Sequence, residues 1–144
     1  MIMADPEMGK DFDPLVLKKL RLDKAHKILI LNAPSGFLKL LTSLDYDTEF
    51  QSEASGQYDF VQIFGASRTE LESLLVRAGK AARYDGLFWA CYPKGGGQIR
   101  SDLKRELVWA GPSLIQLRPV SQISLDETWS ALRGRPTEMV GKVG

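Results

Sequence analysis

Small polar, glycine and basic residues follow each of three predicted strands, and their types favour the binding of an anion. Serine and asparagine side chains and N–H groups at helix starts donate hydrogen bonds, glycines let backbone approach a ligand, and lysines and arginines supply charge. The residues that we predict to bind a ligand are Asn32, Ser35, Gly36, Ser67, Arg68, Lys94, Gly95, Gly96, Gly97, Arg100, Ser101 and Lys104. The ligand expected there is a small anion or a phosphate-bearing molecule, held between the Asn32–Gly36 turn and the Lys94–Ser101 loop. In the other interpretation, the serines only cap helices and the cations only keep a loop soluble.

The sequence shows no second group of residues with spacing suited to catalysis or metal binding. His26 precedes a predicted strand and Cys91 ends a neighbouring parallel strand, so we expect them at opposite edges of the sheet, where they cannot form a nucleophile–base pair. Asp45, Asp47 and Glu49 lie two residues apart, but solvation of a loop explains them as well as metal binding does. We therefore predict no catalytic residue and no metal site.

Three continuous apolar runs predict the strands that position these residues, near 27–32, 58–64 and 87–92. Between the second and third runs, Ser67 and Glu70 have the spacing of a capping box at a helix start. The apolar positions of that helix recur at three- and four-residue spacing: Leu71, Leu74, Leu75, Ala78 and Ala82. About twenty residues that contain a helix join these two buried strands. Strands connected in this way pair in parallel. Because ligands of open α/β sheets collect beyond the carboxyl ends of the strands, the predicted ligand site lies at that edge.

Two further segments complete the predicted sheet. Residues 120–125 and 128–134 are expected to form an antiparallel hairpin at one edge, since only Asp126 and Glu127 separate them. The segment near 46–52 either adds a parallel edge strand, which we prefer, or forms a hairpin with the strand that begins at residue 58. The predicted fold class is α/β, a three-layer α/β/α Rossmann-like sheet, mainly parallel, with a C-terminal antiparallel hairpin.

Composition limits the class of protein. The chain has 144 residues, 44% of them hydrophobic, which suits one domain with a sizeable core. The net charge of +1 and the pI near 7.8 give no overall field that favours nucleic acid or an anionic membrane, and the single cysteine indicates a reducing compartment. No apolar run approaches the ~20 residues that span a bilayer. We predict a cytoplasmic protein with a disordered arm at 1–12, a single domain at 13–136 and a disordered tail at 137–144.

Four segments give the sequence a resemblance to a known family: NAPSGF after the first strand, YDFVQIF, GLFWACYPK and the terminal DETWSALRGRP. Together they resemble a small bacterial family of unknown function that has a trimmed class I S-adenosylmethionine-dependent methyltransferase-like fold. The resemblance covers the region from Leu17 to Pro136. It implies that the Tyr58 strand lies next to the Lys27 strand and that the last strand inserts antiparallel beside Leu87–Tyr92. It also implies that one strand of the first half, with its helices, has been lost.

The resemblance also implies where a cofactor would bind, and there the sequence departs from the enzymes. Their first loop is glycine-rich and acidic, because it holds the methionine part of the cofactor and its ammonium group. Here Leu31–Gly36 has one glycine, no acid, and a proline that lacks an N–H. The proline-rich Asn/Asp motif of amino methyltransferases is absent after Phe64, and a ribose-binding carboxylate would come from Glu49 or Glu53. We therefore predict no cofactor and expect that S-adenosylmethionine does not bind tightly.

Three functions stay open at this point. The missing glycine motif favours a non-catalytic, methyltransferase-like binding or regulatory module. The glycines and basic residues at the predicted edge leave room for an enzyme that uses S-adenosylmethionine or another nucleotide through an altered loop. The third is a protein-interaction domain, for which exposure of Trp109 or Trp129 would be the cue.

Overall fold

The structure, a computed structural model, describes residues 12–50, 54–95, 101–102 and 105–142. Its strands are β1 (Ile28–Leu31), β2 (Tyr58–Phe64), β3 (Ala82–Pro93), β4 (Leu117–Ser124) and β5 (Trp129–Pro136). Its α-helices are α1 (Val16–Lys19), α2 (Ser35–Leu38), α3 (Arg68–Ala81) and α4 (Arg105–Ala110). Short 3-10 helices cover Leu22–Lys24, Lys39–Leu41, Gly111–Ile115 and Thr137–Met139. Within these residues, no helix is long and apolar enough to cross a membrane.

The five strands form one sheet in the order β1-β2-β3-β5-β4. Strands β1, β2 and β3 are parallel neighbours, which confirms the prediction from the three apolar runs. Strand β5 lies antiparallel between β3 and β4, so the last strand inserts where the resemblance implied. The sheet is therefore mixed: its first half is parallel and its second half is antiparallel.

Side chains alternate along the strands between two hydrophobic layers, and the helices cover both faces. Ile28 and Ile30 of β1 belong to the layer that includes residues of α1 and α2. Leu29 and Leu31 belong to the layer that includes the apolar face of α3 and Val108 of α4. This arrangement follows from the period of two along a strand, which points successive side chains to opposite faces.

The segment predicted near 46–52 meets the sheet at a single residue. Asp47 forms an isolated parallel bridge with Leu29, because its carbonyl accepts from Ile30 N at 2.9 Å and its N–H donates to Ile28 O at 2.8 Å. The preferred parallel position beside the first strand is thus confirmed, but as one bridge and not as a strand. Residues 51–53 lie outside the described part of the chain.

The predicted helix start at Ser67 is confirmed with one difference. Ser67 Oγ accepts a hydrogen bond from Glu70 N at 3.2 Å, as a capping residue does. The Glu70 carboxylate accepts from Ala66 N at 2.8 Å, one residue before the predicted partner. The N–H groups of Glu70 and Ala66, at the start of α3, are therefore satisfied by the side chains of Ser67 and Glu70.

Strand β3 begins at Ala82, directly after α3, and not at the predicted Leu87. Tyr58 pairs with Ala82 and Phe60 pairs with Leu87, so the intervening residues of β3 bulge out of the ladder. Asp85 lies in this bulge with φ 58°. Asp85 and Gly86, which precede the predicted strand near 87–92, are thus part of an irregular strand.

The C-terminal hairpin also differs from its predicted bounds. Strand β4 covers 117–124 and β5 covers 129–136, so a longer loop replaces the predicted two-residue turn. Asp126 Oδ1 accepts from Thr128 N at 2.8 Å and from Trp129 N at 2.7 Å. An aspartate that holds the N–H groups following it makes its own turn, and this turn sets the length of the loop.

Both ends of the described chain are held against the domain. Phe12 was predicted to belong to the arm, but it is buried and its ring centroid lies 5.5 Å from that of Phe37. Residues 137–142 were predicted as a tail, but they begin with a 3-10 helix in which Glu138 accepts a hydrogen bond from Tyr84. The folded region therefore extends past the predicted limits of 13–136 on both sides.

We expect the hydrogen bonds of Asp59 to make the stability of the protein depend on pH. The Asp59 carboxylate accepts hydrogen bonds from Lys27 N at 2.7 Å and from His26 N at 3.0 Å. Burial raises the pKa of Asp59, but the bonds to His26 and Lys27 hold this pKa below its ordinary value of 3.8. A carboxyl group whose pKa is lower in the folded than in the unfolded protein stabilises the fold at pH values above its unfolded pKa. This stability is lost as the pH falls through the folded pKa. We expect urea unfolding midpoints to fall with acidification below pH ~4 less steeply in Asp59→Asn than in the parent. Equal slopes in the two proteins would contradict this role.

Candidate functional site

The direction of winding reverses between β1 and β2. From β1 the chain passes to the bridge at Asp47 on the outer side of β1, and it returns as β2 on the inner side. In open α/β sheets, the crevice outside the carboxyl ends of two such strands is where ligands bind. The residues after Leu31 and Phe64 therefore form the candidate site, at the edge that the sequence predicted.

Asn32 bridges this crevice. Its backbone has φ 63°, in the left-handed region that favours glycine and that asparagine tolerates better than most residues. Its side-chain Nδ2 donates to Phe64 O at 2.7 Å, which ties the carboxyl end of β1 to that of β2. The first loop thus keeps a glycine-type backbone turn without a glycine at that position, and the amide spans the space between the two strands.

Helix α2 offers little to a ligand. It has four residues and follows Pro34, which occupies the N-cap position and has no N–H to donate. Ser35 is the first residue of the helix and is exposed, and no side-chain cap hydrogen bond is present. Gly36 is buried. Of the two predicted ligand residues in this helix, Ser35 therefore offers an exposed hydroxyl group and Gly36 is buried.

The start of α3 is occupied by the chain's own side chains. Arg68 N donates to Asp102 Oδ1 at 2.8 Å, and Ser67 Oγ accepts from Glu70 N as described above. The Arg68 side chain turns along the helix to Glu72 at 3.2 Å, and both side chains are about half exposed. The structure thus brings the segment at Ser101–Asp102 onto α3, where the Asp102 carboxylate binds the backbone of Arg68, one of the predicted ligand residues.

Lys94 donates hydrogen bonds to the C-terminal hairpin. Its Nζ donates to Ser124 Oγ at 2.6 Å and its backbone N donates to Thr128 O at 2.8 Å, so it is held by the C-terminal hairpin. Gly95 is exposed, with nothing within 4 Å of the position of a Cβ atom. The remaining predicted ligand residues lie outside the described part of the chain: Gly96, Gly97, Arg100 and Lys104. The start of α4, which Ser101 was predicted to cap, borders those residues and stays a prediction.

The histidine and the cysteine lie apart. His26 has a side chain that is 92% exposed and lies 3.3 Å from the Asp59 carboxylate, at the amino end of the sheet. Cys91 is fully buried near the carboxyl end of β3, and burial raises the pKa of its thiol. Its Sγ accepts from Gln62 Nε2 at 3.4 Å. Cys91 is therefore a core residue, and the predicted separation from His26 is confirmed.

The tryptophan cue for a protein-interaction domain is absent from the two positions considered. Trp129 is 5% exposed and its ring lies 5.2 Å from that of Phe64, in the aromatic part of the core. Trp109 is half-buried on the other face of the sheet. Neither tryptophan is in the exposed class, so neither position meets the cue for a partner-binding surface.

Charged residues at the opposite, amino edge of the parallel strands were not predicted. Arg133 and Arg135 of β5 are both buried, and Asp85 of the β3 bulge pairs with Arg135. A cleft of about 240 Å³ opens beside this bulge, on the α3 side of the sheet. The available signal was the alternation in β5: Trp129 and Ala131 lie on one face, and the two arginines continue the same face.

Comparison with solved structures relates this arrangement to known proteins. A SAM-dependent methyltransferase from Aquifex aeolicus superposes with a TM-score of 0.60 at 12% sequence identity, over 90% of this chain and 93% of that one. The PH0226 protein from Pyrococcus horikoshii OT3 also gives a TM-score of 0.60 at 12% identity, over 86% of this chain and 87% of its own. The chain has a class I methyltransferase-like fold. This methyltransferase-like fold is what the sequence resemblance implied.

One neighbour was solved with SAH. PigF with SAH matches 86% of this chain at 10% identity with a TM-score of 0.56, and the chain spans 61% of the length of PigF. No family model and no curated protein matches the chain. At identities this low, the likeness establishes the methyltransferase-like fold and leaves the chemistry of the site to its own residues.

Proposed function

We propose that this protein is a non-catalytic binding module built on the methyltransferase-like fold and that it does not use S-adenosylmethionine. The observation that supports the proposal most is the Asn32 side chain, which donates to Phe64 O at 2.7 Å across the crevice between β1 and β2. A ligand that entered between these strand ends would break this hydrogen bond. The part-buried Phe64 carbonyl would then need a new donor, and leaving such a group unsatisfied costs about 1–3 kcal/mol.

Charge around the crevice also opposes the cofactor. S-adenosylmethionine carries an ammonium and a sulfonium group, and a buried cation without a partner is costly. The loop from Leu31 to Gly36 contains no carboxylate. The Asp102 carboxylate lies at the start of α3, where it already accepts from Arg68 N at 2.8 Å. The cofactor would therefore have to compete with a hydrogen bond of the fold for that acid.

A thermal-shift experiment tests the proposal. With ~1 mM S-adenosylhomocysteine, a ligand whose Kd is ~10 µM would add about 2.7 kcal/mol to the free energy of unfolding. For a domain of this size, that gain would raise Tm by several degrees. We expect no change in Tm with S-adenosylhomocysteine or S-adenosylmethionine. A saturable rise in Tm would overturn the proposal.

An enzyme with an altered cofactor site is the second candidate, and two observations favour it. Asn32 keeps the left-handed turn that glycine would take, and Asp102 places a carboxylate at the neighbouring helix start. If this candidate is correct, S-adenosylhomocysteine raises Tm in the parent and in Asp23→Asn, and Asp102→Asn reduces the rise. Asp23 is a suitable control because it is exposed and belongs to the 3-10 helix before β1.

A further inference from the structure

A cleft of about 240 Å³ lies beside the bulge of β3, at the amino edge of the parallel strands. Residues of four segments line it: the end of α3, the bulge, the turn into β4 and the C-terminal 3-10 helix. Ligand pockets for drug-sized molecules measure ~300–1,000 Å³, so this cleft suits a smaller molecule. The side chains that line it therefore decide which ligand chemistry it can accept.

One wall of the cleft is apolar. Phe88, Ile115 and Leu117 line it, and all three belong to the hydrophobic layer that includes the apolar face of α3 or pack against it. Ile115 packs closely on the end of this helix, because a Cβ atom at Gly79 would lie 2.6 Å from Ile115 Cγ2. The apolar wall is therefore fixed by the packing of α3 and exists without a ligand.

The two acidic residues that line the cleft already have partners in the protein. The Asp85 carboxylate accepts from Arg135 through both of its oxygens, at 3.0 and 2.9 Å, and this bidentate pair lowers the pKa of Asp85. Glu138 accepts a hydrogen bond from the Tyr84 hydroxyl group. This bond lowers the pKa of Glu138, and the charge of Lys142 acts in the same direction. Neither carboxylate therefore requires a cation from a ligand.

Arg83 is the basic residue among the described residues that line the cleft. It is exposed, and none of the ion pairs within the described part of the chain includes it. Gln116 and Thr137 line the same cleft and are also exposed, so they add an amide N–H group and a hydroxyl group. The cleft thus offers hydrogen-bond donors next to an apolar wall, while its acids are already bonded.

We propose that this cleft binds a small monocarboxylic acid with an apolar body. The carboxylate of the ligand accepts paired hydrogen bonds from the guanidinium of Arg83, and its hydrocarbon part lies against the apolar wall. A second negative charge on the ligand is unfavourable, because Asp85 and Glu138 line the same cleft. The cleft lies at the opposite edge of the sheet from the crevice between β1 and β2. The inference therefore goes beyond the proposed function and does not depend on it.

Titration calorimetry with isocaproate, a branched aliphatic carboxylate, tests the site at constant pH and ionic strength. We expect saturable binding to the parent, and binding at least about 10-fold weaker in Arg83→Met, because charged hydrogen bonds are lost. The matched control is Arg77→Met, which removes an exposed arginine of α3 that does not line the cleft. It should bind isocaproate as the parent does. Isocaproamide, which has the same carbon skeleton without the charge, should bind the parent at least about 10-fold more weakly than isocaproate.

Thr137→Trp tests whether the ligand occupies the cleft itself. Thr137 is exposed, so a large side chain there should fill the cleft with little effect on Tm and should abolish isocaproate binding. The proposal is overturned if the parent shows no saturable binding of isocaproate or of phenylacetate up to ~10 mM. It is also overturned if either folded variant, Arg83→Met or Thr137→Trp, binds isocaproate as tightly as the parent, or if the parent binds isocaproamide as tightly as isocaproate.

Discussion

Replacing Phe64 with alanine should lower the free energy of unfolding by about 3–5 kcal/mol. Phe64 is fully buried at the end of β2, and its ring lies 5.4 Å from that of Phe37 and 5.2 Å from that of Trp129. It therefore joins α2 to β5 through one aromatic cluster, and its removal leaves a cavity that neighbouring rings cannot fill by small shifts. Urea unfolding followed by tryptophan fluorescence would measure the loss.

The control for this prediction is Val76→Ala. Val76 lies on α3 and is 49% exposed, so its truncation should change the free energy of unfolding by less than about 0.5 kcal/mol. A loss below ~1.5 kcal/mol in Phe64→Ala would show that the aromatic cluster is not the centre of this layer.

Gly65→Ala should also destabilise the protein, by about 1–3 kcal/mol. A Cβ atom at Gly65 would lie 2.7 Å from Leu71 Cα and 2.8 Å from Leu71 Cβ, so α3 itself would have to move. The closeness of α3 to the end of β2 is what places Ser67 and Arg68 beside the crevice. Gly95→Ala is the matched control, since nothing lies within 4 Å of its Cβ position.

The same unfolding experiment checks the Gly65 prediction. Gly65→Ala should unfold at lower urea than the parent, while Gly95→Ala should stay within about 0.5 kcal/mol of it. Similar midpoints for the two variants would mean that α3 can shift without cost.

Most of the fold could be predicted from the sequence because its signals are local. A continuous apolar run such as Tyr58–Phe64 marks a buried strand wherever it pairs, and Ser67 caps the helix that follows it. The bulge at Asp85 could not be predicted, because it exists only through the register of β3 on β2. The hairpin loop was misjudged because the Asp126 side chain, and not the number of residues, sets the turn.

The candidate site was predicted in position but not in its contacts. The carboxyl edge of a parallel sheet follows from strand direction, so Asn32 and Ser67 lie at the expected edge. Their partners come from distant parts of the chain: Asn32 bonds to Phe64 O, and Arg68 N bonds to Asp102, 34 residues away. Lys94 likewise donates to Ser124, 30 residues away. These hydrogen-bond partners depend on how distant segments pack, which cannot be inferred from composition and residue spacing.

Under the proposed function, the Asn32 side chain closes the crevice between β1 and β2 to S-adenosylmethionine. The most direct test is to titrate S-adenosylhomocysteine into 15N-labelled protein and follow the side-chain amide of Asn32 and the backbone amide of Gly65 by NMR. We predict that neither resonance shifts up to ~1 mM ligand. Saturable shifts of both resonances with a micromolar Kd would contradict the claim.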